Sequence, residues 1–143
     1  MLETKTIKQR LSCYKRKMMK IHIDKLDTLF SRFIRMRAGW KCERCGSTPD
    51  RRGLHCHHFH RRRKQSTRFD EDNGLSLCLG CHQFFGENRE EEEEFMLRKL
   101  GQERYDMLSC RARTIQKVDR EIVRLYFEQR IKELEAGNEN TRF

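Results

Sequence analysis

The sequence predicts an α+β domain, and three observations predict it. Two CxxC pairs, Cys42/Cys45 and Cys78/Cys81, bracket a segment with two short extended apolar runs. An amphipathic helical stripe precedes that segment, and helical stretches follow it. Apolar residues make up 36% of the chain and charged residues 38%, whereas an average globular chain is roughly 45–50% apolar. The core is therefore small, and a bound metal, whose binding free energy is folding free energy, is expected to supplement it.

The elements follow in order. Residues 1–25 carry Lys15, Arg16, Lys17 and Lys20 without a sustained apolar stripe, which predicts a basic arm or a short helix. Leu26, Leu29, Phe30, Phe33 and Ile34 then recur at i, i+3, i+4, i+7, i+8, with Asp24 placed to cap a helix and Gly39 to stop it. Its other face carries Lys25, Arg32 and Arg35. Past the turn-rich stretch from Pro49 to Gly53, the runs 54–59 and 75–78 read as strands, joined by a loop from His60 to Gly74. The second CxxC leads into a helix of one to three turns. The acidic run Glu90–Glu94 reads as the solvated start of a helix ending at Gly101, since carboxylates suit a helix N-terminus. A short helix over 102–110 is expected next, then a longer one over 115–135, capped by Thr114, with Val118, Ile122, Leu125 and Tyr126 as its stripe. One domain over 26–136 results, with a fraying tail at 137–143.

The cysteines favour a metal over disulfides. Seven is an odd number, four of them sit in CxxC pairs, and Met1–Lys20 holds no apolar signal segment, so a reducing cytosol is expected. Four thiolates from Cys42, Cys45, Cys78 and Cys81 suit tetrahedral zinc and leave no open coordination position, which makes that metal structural. Cys13, Cys56 and Cys110 have no CxxC partner and read as small apolar residues or free thiols. No stretch approaches the ~20 apolar residues of a membrane span.

The net charge of +10 is uneven: residues 1–68 carry 20 Lys/Arg against 5 Asp/Glu, and residues 69–143 carry 12 against 17. A polyanion is expected on the basic half, because cations that displace counterions from phosphates give affinity without reading sequence. Four histidines, His55, His57, His58 and His60, crowd one strand, and His82 follows the last cysteine. Alternation along a strand puts His55 and His57 on one face and His58 and His60 on the other.

His57-His58-Phe59, Asn73 five residues before Cys78, and Cys81-His82 together resemble the HNH (ββα-metal, His-Me finger) endonuclease motif. Within that group the segments 30–35, 68–73, Gly86-Glu87-Asn88 and 100–104 are similar to the phage recombination nucleases called NinG or Rap, over about residues 26–135. The resemblance implies a ββα-metal fold stapled by the zinc and metal-dependent hydrolysis of DNA phosphodiester bonds in phage-linked recombination. His58 would be the general base, Asn73 would hold the loop and orient it, and His57 and His82 would ligate a catalytic divalent ion, Mg2+ or another. NinG-like sequences usually carry a histidine at the position of His55, which is the alternative first ligand, and asparagine at that of His82. Gly74 stands where an aliphatic residue is common, which predicts a looser loop.

DNA is the expected partner, with Arg61, Arg62, Arg63 and Lys64 clamping phosphates beside the cut and Arg68, Arg32 and Arg35 contributing. The expected place is the cytoplasm, the host cytosol if the chain is phage-encoded, and a homodimer through the C-terminal helix stays open. Two other readings remain: a non-catalytic zinc-ribbon DNA-binding module, which does not need the set His58, Asn73 and His82, and an HNH nuclease assisting phage genome packaging, which differs only in partners.

Overall fold

The computed structural model describes residues 22–139; the basic arm through residue 21, Cys13 and the last four residues of the tail lie outside them. Among the described residues, five α-helices and one hairpin sheet follow in order: α1 Lys25–Arg37, β1 Leu54–His58, β2 Gly74–Cys78, α2 Leu79–Glu87, α3 Arg89–Leu100, α4 Gln102–Arg113 and α5 Arg120–Glu139. The α+β class holds. No helix among the described residues is long and apolar enough to cross a membrane.

Helix α1 begins as the sequence predicts. The Asp24 carboxylate accepts from the Leu26 and Asp27 N–H groups, and the Asp27 carboxylate accepts from the Asp24 N–H, a reciprocal capping box. Its buried face is Leu26, Phe30, Phe33 and Ile34. The chain leaves through Gly39 and Trp40, both with positive φ, and turns into the first CxxC.

β1 and β2 pair antiparallel, with His55 opposite Leu77, His57 opposite Leu75 and His58 opposite Gly74. Because side chains alternate, this register gives the sheet two inner faces. His55, His57, Leu75 and Leu77 share the face where Leu75 and Leu77 join Leu54, Phe59, Phe85, Met96, Leu100 and Leu108 in one apolar cluster. Cys56, His58, Gly74 and Ser76 share the other, where Cys56 packs against a second cluster of α1 and α5 residues with Phe69.

Three expectations need correction. Helix α5 starts at Arg120 rather than at residue 115, and Thr114 does not cap it. Thr114 is extended (φ −78°, ψ 148°) and its hydroxyl donates to the Arg111 carbonyl, so it closes α4, which itself runs on to Arg113. Asp119 caps α5 instead, accepting from the N–H groups of Glu121 and Ile122. The proposed stripe is also the wrong face: Ile122, Leu125 and Tyr126 are 65%, 53% and 47% exposed. The core face is Val123, Phe127, Ile131 and Leu134, because Phe127 inserts between Phe30 and Phe33 at ring separations of 5.2 and 5.0 Å. Finally, the tail does not begin at Gly137, since α5 continues to Glu139.

Candidate metal centre and histidine cluster

The two CxxC pairs converge. Cys42 and Cys45 sit in a knuckle closed by the Gly46 N–H donating to the Cys42 carbonyl and the Cys42 N–H donating to the Ser47 carbonyl. Gly46, at φ 73°, makes that turn affordable. Cys78 is the N-cap of α2 and Cys81 lies in its first turn. The four sulfurs lie within 4.8 Å of one another, and Cys45 Sγ to Cys78 Sγ is 3.8 Å. Tetrahedral zinc with Zn–S bonds of ~2.3 Å requires sulfurs about 3.8 Å apart, so the donor set and its spacing fit that ion.

The thiols are unequal before metal binds. A hydrogen bond shared with Ser47 draws Cys45 down to about 6, and burial pushes Cys81 up to about 12. Arg44 offsets part of the latter: its guanidinium donates to Cys81 Sγ at 3.5 Å while lying over the Phe84 ring. Cys56 is a different case, a thiol held at about 12 by burial and therefore inert, and Cys110 is exposed.

On the first face of the sheet, the rings of His55 and His57 lie 5.6 and 5.0 Å from that of His82 on α2. His57 Nε2 meets Glu92 Oε1 at 2.5 Å, and Arg89 donates to the other carboxylate oxygen at 2.8 Å. With Nε2 engaged by Glu92, the His57 nitrogen left for a ligand is Nδ1. Burial, then the neighbouring His57 and His55, holds His82 below its ordinary value and so favours the neutral imidazole, the form that binds metal. Among the described residues, the four cysteines are the one group of three or more such ligand atoms close enough to share an ion.

His58 points the other way. Its ring packs against Phe30 at 5.5 Å and its Nε2–H donates to the Arg68 carbonyl at 3.0 Å. A carbonyl can only accept, so Nε2 carries the proton and Nδ1 holds the lone pair. Burial first, and the Arg62 charge second, lower His58 to about 4.

Asn73 is fully buried and ties the intervening loop shut. Its Oδ1 accepts from the His60 N–H at 2.6 Å, and its Nδ2 donates to the His60 and Thr67 carbonyls at 2.9 and 2.8 Å. The turn that bears it, Glu71–Asn73, is held from outside. Arg37 donates to the Glu71 and Gly74 carbonyls, Arg111 to the Asp70 and Asp72 carboxylates, and Arg104 to Asp72.

The expected phosphate contacts divide. Arg61, Arg63 and Lys64 are exposed, and Arg62 is half-buried. Arg68 is committed inside: it is buried, and its guanidinium donates to both oxygens of Asp27 and to the His22 carbonyl. Arg32 pairs with Glu135, and Arg35 donates to the Ser31 carbonyl and lies over Trp40.

Glu92 was not foreseen. It sits in the acidic run read as solvated, yet it is 4% exposed. Its signal was positional: Glu92, Met96 and Leu100 are i, i+4 and i+8, which puts one carboxylate on the buried stripe of α3.

Comparison with curated proteins and with solved structures brings no match. The family described as bacteriophage lambda NinG protein matches residues 2–139. That span carries both CxxC pairs, the histidine strand, the Asn73 turn and Glu92, and the chain belongs to this family.

Proposed function

We propose that this chain is a metal-dependent HNH endonuclease that hydrolyses DNA phosphodiester bonds in phage-linked recombination. The observation that carries the reading is His58: a neutral imidazole whose Nε2–H is fixed on the Arg68 carbonyl, leaving Nδ1 as the basic atom. Asn73 holds the loop that supplies that carbonyl. In the proposed role Nδ1 takes the proton of the attacking water. A base at about 4 is weak at neutral pH, but a phosphodiester brings negative charge beside the ring and raises its affinity for the proton when it is needed.

His57 and His82 would hold the catalytic divalent ion, with Glu92 behind His57 fixing its orientation, as carboxylates commonly do for ligating histidines. When bound, that ion supplies charge stabilisation at the scissile phosphate. Arg61, Arg63 and Lys64 would grip the backbone beside the cut.

One observation favours the second reading, a zinc-ribbon DNA-binding module without catalysis: β1 sends His57 and His58 to opposite faces. Supercoiled plasmid incubated with purified protein, with and without divalent ion, separates the two. The nuclease reading expects nicking that depends on the ion and that falls ~10²–10⁴-fold in His58→Ala with DNA binding retained. Wild-type protein that binds DNA and cuts no form of it would establish the module instead.

A further inference from the structure

A groove of about 500 Å³ opens between the β1–β2 loop and the connection from α4 to α5. Arg63 and Lys64 stand on one wall, and Arg113, Lys117 and Arg120 stand on the other. Its floor is apolar, from Phe69, Ala112 and Val118, and Ile115 stands fully exposed at its edge. No carboxylate lines it. Arg63, Lys64, Arg113 and Lys117 are exposed and form no ion pair with a described residue, whereas Arg120 pairs with Asp24 at the rim.

Three of these five cations come from the acidic half of the chain. The carboxylates near this end of that half are engaged elsewhere: Asp70 and Asp72 by Arg111 and Arg104, Glu121 by Arg124, and Asp119 by the N–H groups at the start of α5. What is left facing the groove is positive on both walls. The volume suits a ligand the size of a nucleotide, and cations flanking an apolar floor suit phosphates on either side of a base. The loop that forms one wall also carries Arg68, whose carbonyl holds His58, so one segment ties the groove to the proposed base.

We infer that this groove binds an unpaired nucleic-acid strand, with phosphates on Arg63, Lys64, Arg113 and Lys117 and a base against Ile115 and Val118. The inference rests on the nuclease reading for its place beside the cut, and on the groove itself for binding.

The test is fluorescence anisotropy of the full zinc-loaded chain with a labelled single-stranded oligonucleotide, across a salt series. Arg113→Glu/Lys117→Glu should weaken binding about tenfold or more and flatten the log–log salt slope by about 1.4, two lost contacts at ~0.7 each on a single strand. Arg52→Glu/Lys132→Glu, exposed cations outside the groove with the same change in net charge, should alter both far less. Lys64→Glu, on the opposite wall, should repeat the groove effect. Equal losses in the groove and control pairs would overturn the inference, because a general field and not the groove would then be responsible. So would a blunt duplex showing the same dependence on the groove pair, or polyglutamate displacing the oligonucleotide as well as an unlabelled strand does. Plasmid nicking is read in parallel. A groove effect without nicking retires the nuclease and keeps the groove, and nicking without a groove effect does the reverse.

Discussion

Asn73→Ala removes three hydrogen bonds from a fully buried side chain, and their worth can be worked from what each partner is left with. The Thr67 carbonyl lies on a buried residue and loses its Asn73 donor but keeps the Asp70 N–H, so its loss is that of one ordinary hydrogen bond, roughly 1 kcal/mol. The His60 N–H and C=O are half-buried and regain water, which limits each loss to roughly 1 kcal/mol. The sum, about 3 kcal/mol, is a large share of the ~5–15 kcal/mol that stabilises a typical domain. Urea unfolding of zinc-loaded protein, followed by Trp40 fluorescence, should show the midpoint falling with the slope unchanged. Asn73→Asp sharpens the test. It keeps the oxygen that accepts from His60 but turns the donor into a second oxygen facing two carbonyls, so it should be at least as damaging as alanine and worse as pH rises and the carboxyl ionises. A loss under about 1 kcal/mol for Asn73→Ala, or wild-type stability of Asn73→Asp at pH 7, would refute the account of Asn73 as the residue that closes the loop.

Cys45→Ser should lower zinc content from one ion per chain and unfold the region around Leu54, Leu75 and Leu77, because metal binding and folding are coupled; elemental analysis finding folded wild-type protein without zinc would contradict it. His58 predicts an acid sensitivity whose sign is fixed. Its folded value of about 4 lies below the ~6.5 of an unfolded histidine, so the unfolded chain binds the extra proton between them. The stability gained by keeping the ring neutral is complete above about pH 6.5 and is lost as pH falls towards 4, up to about 3 kcal/mol in all. His58→Gln should flatten urea midpoints measured across that window, although His60 and His82, also held down by burial, keep part of the slope.

How much of this was legible in the sequence follows from how local each signal is. The Asp24 cap, the α1 stripe and the two CxxC pairs are patterns within a few residues of each other, and the structure realises them. The four-sulfur arrangement follows because each CxxC presents two sulfurs from one turn, so only the meeting of the two turns needed the fold. The α5 face was not legible. Both Val118/Ile122/Leu125/Tyr126 and Val123/Phe127/Ile131/Leu134 satisfy helical spacing, and only the gap between Phe30 and Phe33 on α1 selects the second. Glu92 and Arg68 were misread for a related reason. A charge in a polar stretch looks free to face solvent or a ligand until a partner 35 or 41 positions away, His57 or Asp27, claims it.

Gly74 shows how such a distant contact can set the chemistry of a site. It lies opposite His58 in the sheet, and a Cβ there would meet Ile34 Cδ1 at 2.6 Å, Ile34 Cγ1 at 2.8 Å and Phe30 Cζ at 3.1 Å. The absent side chain is therefore the reason α1 can press against the sheet. The same approach sets Phe30 against the His58 ring, and burial is the largest cause of the ring's low proton affinity. Gly74→Ala must push a fully buried isoleucine aside, at about 1–3 kcal/mol for overpacking, and in doing so lift Phe30 from His58. Two changes should then appear together: a lower urea midpoint, and an imidazole titration, followed by proton NMR of the His58 ring, that moves up from about 4 towards the ordinary histidine range. Lost stability with an unmoved titration would mean that something other than the α1 contact dries the ring. An unmoved midpoint would mean that α1 does not approach the sheet as closely as Ile34 and Gly74 require.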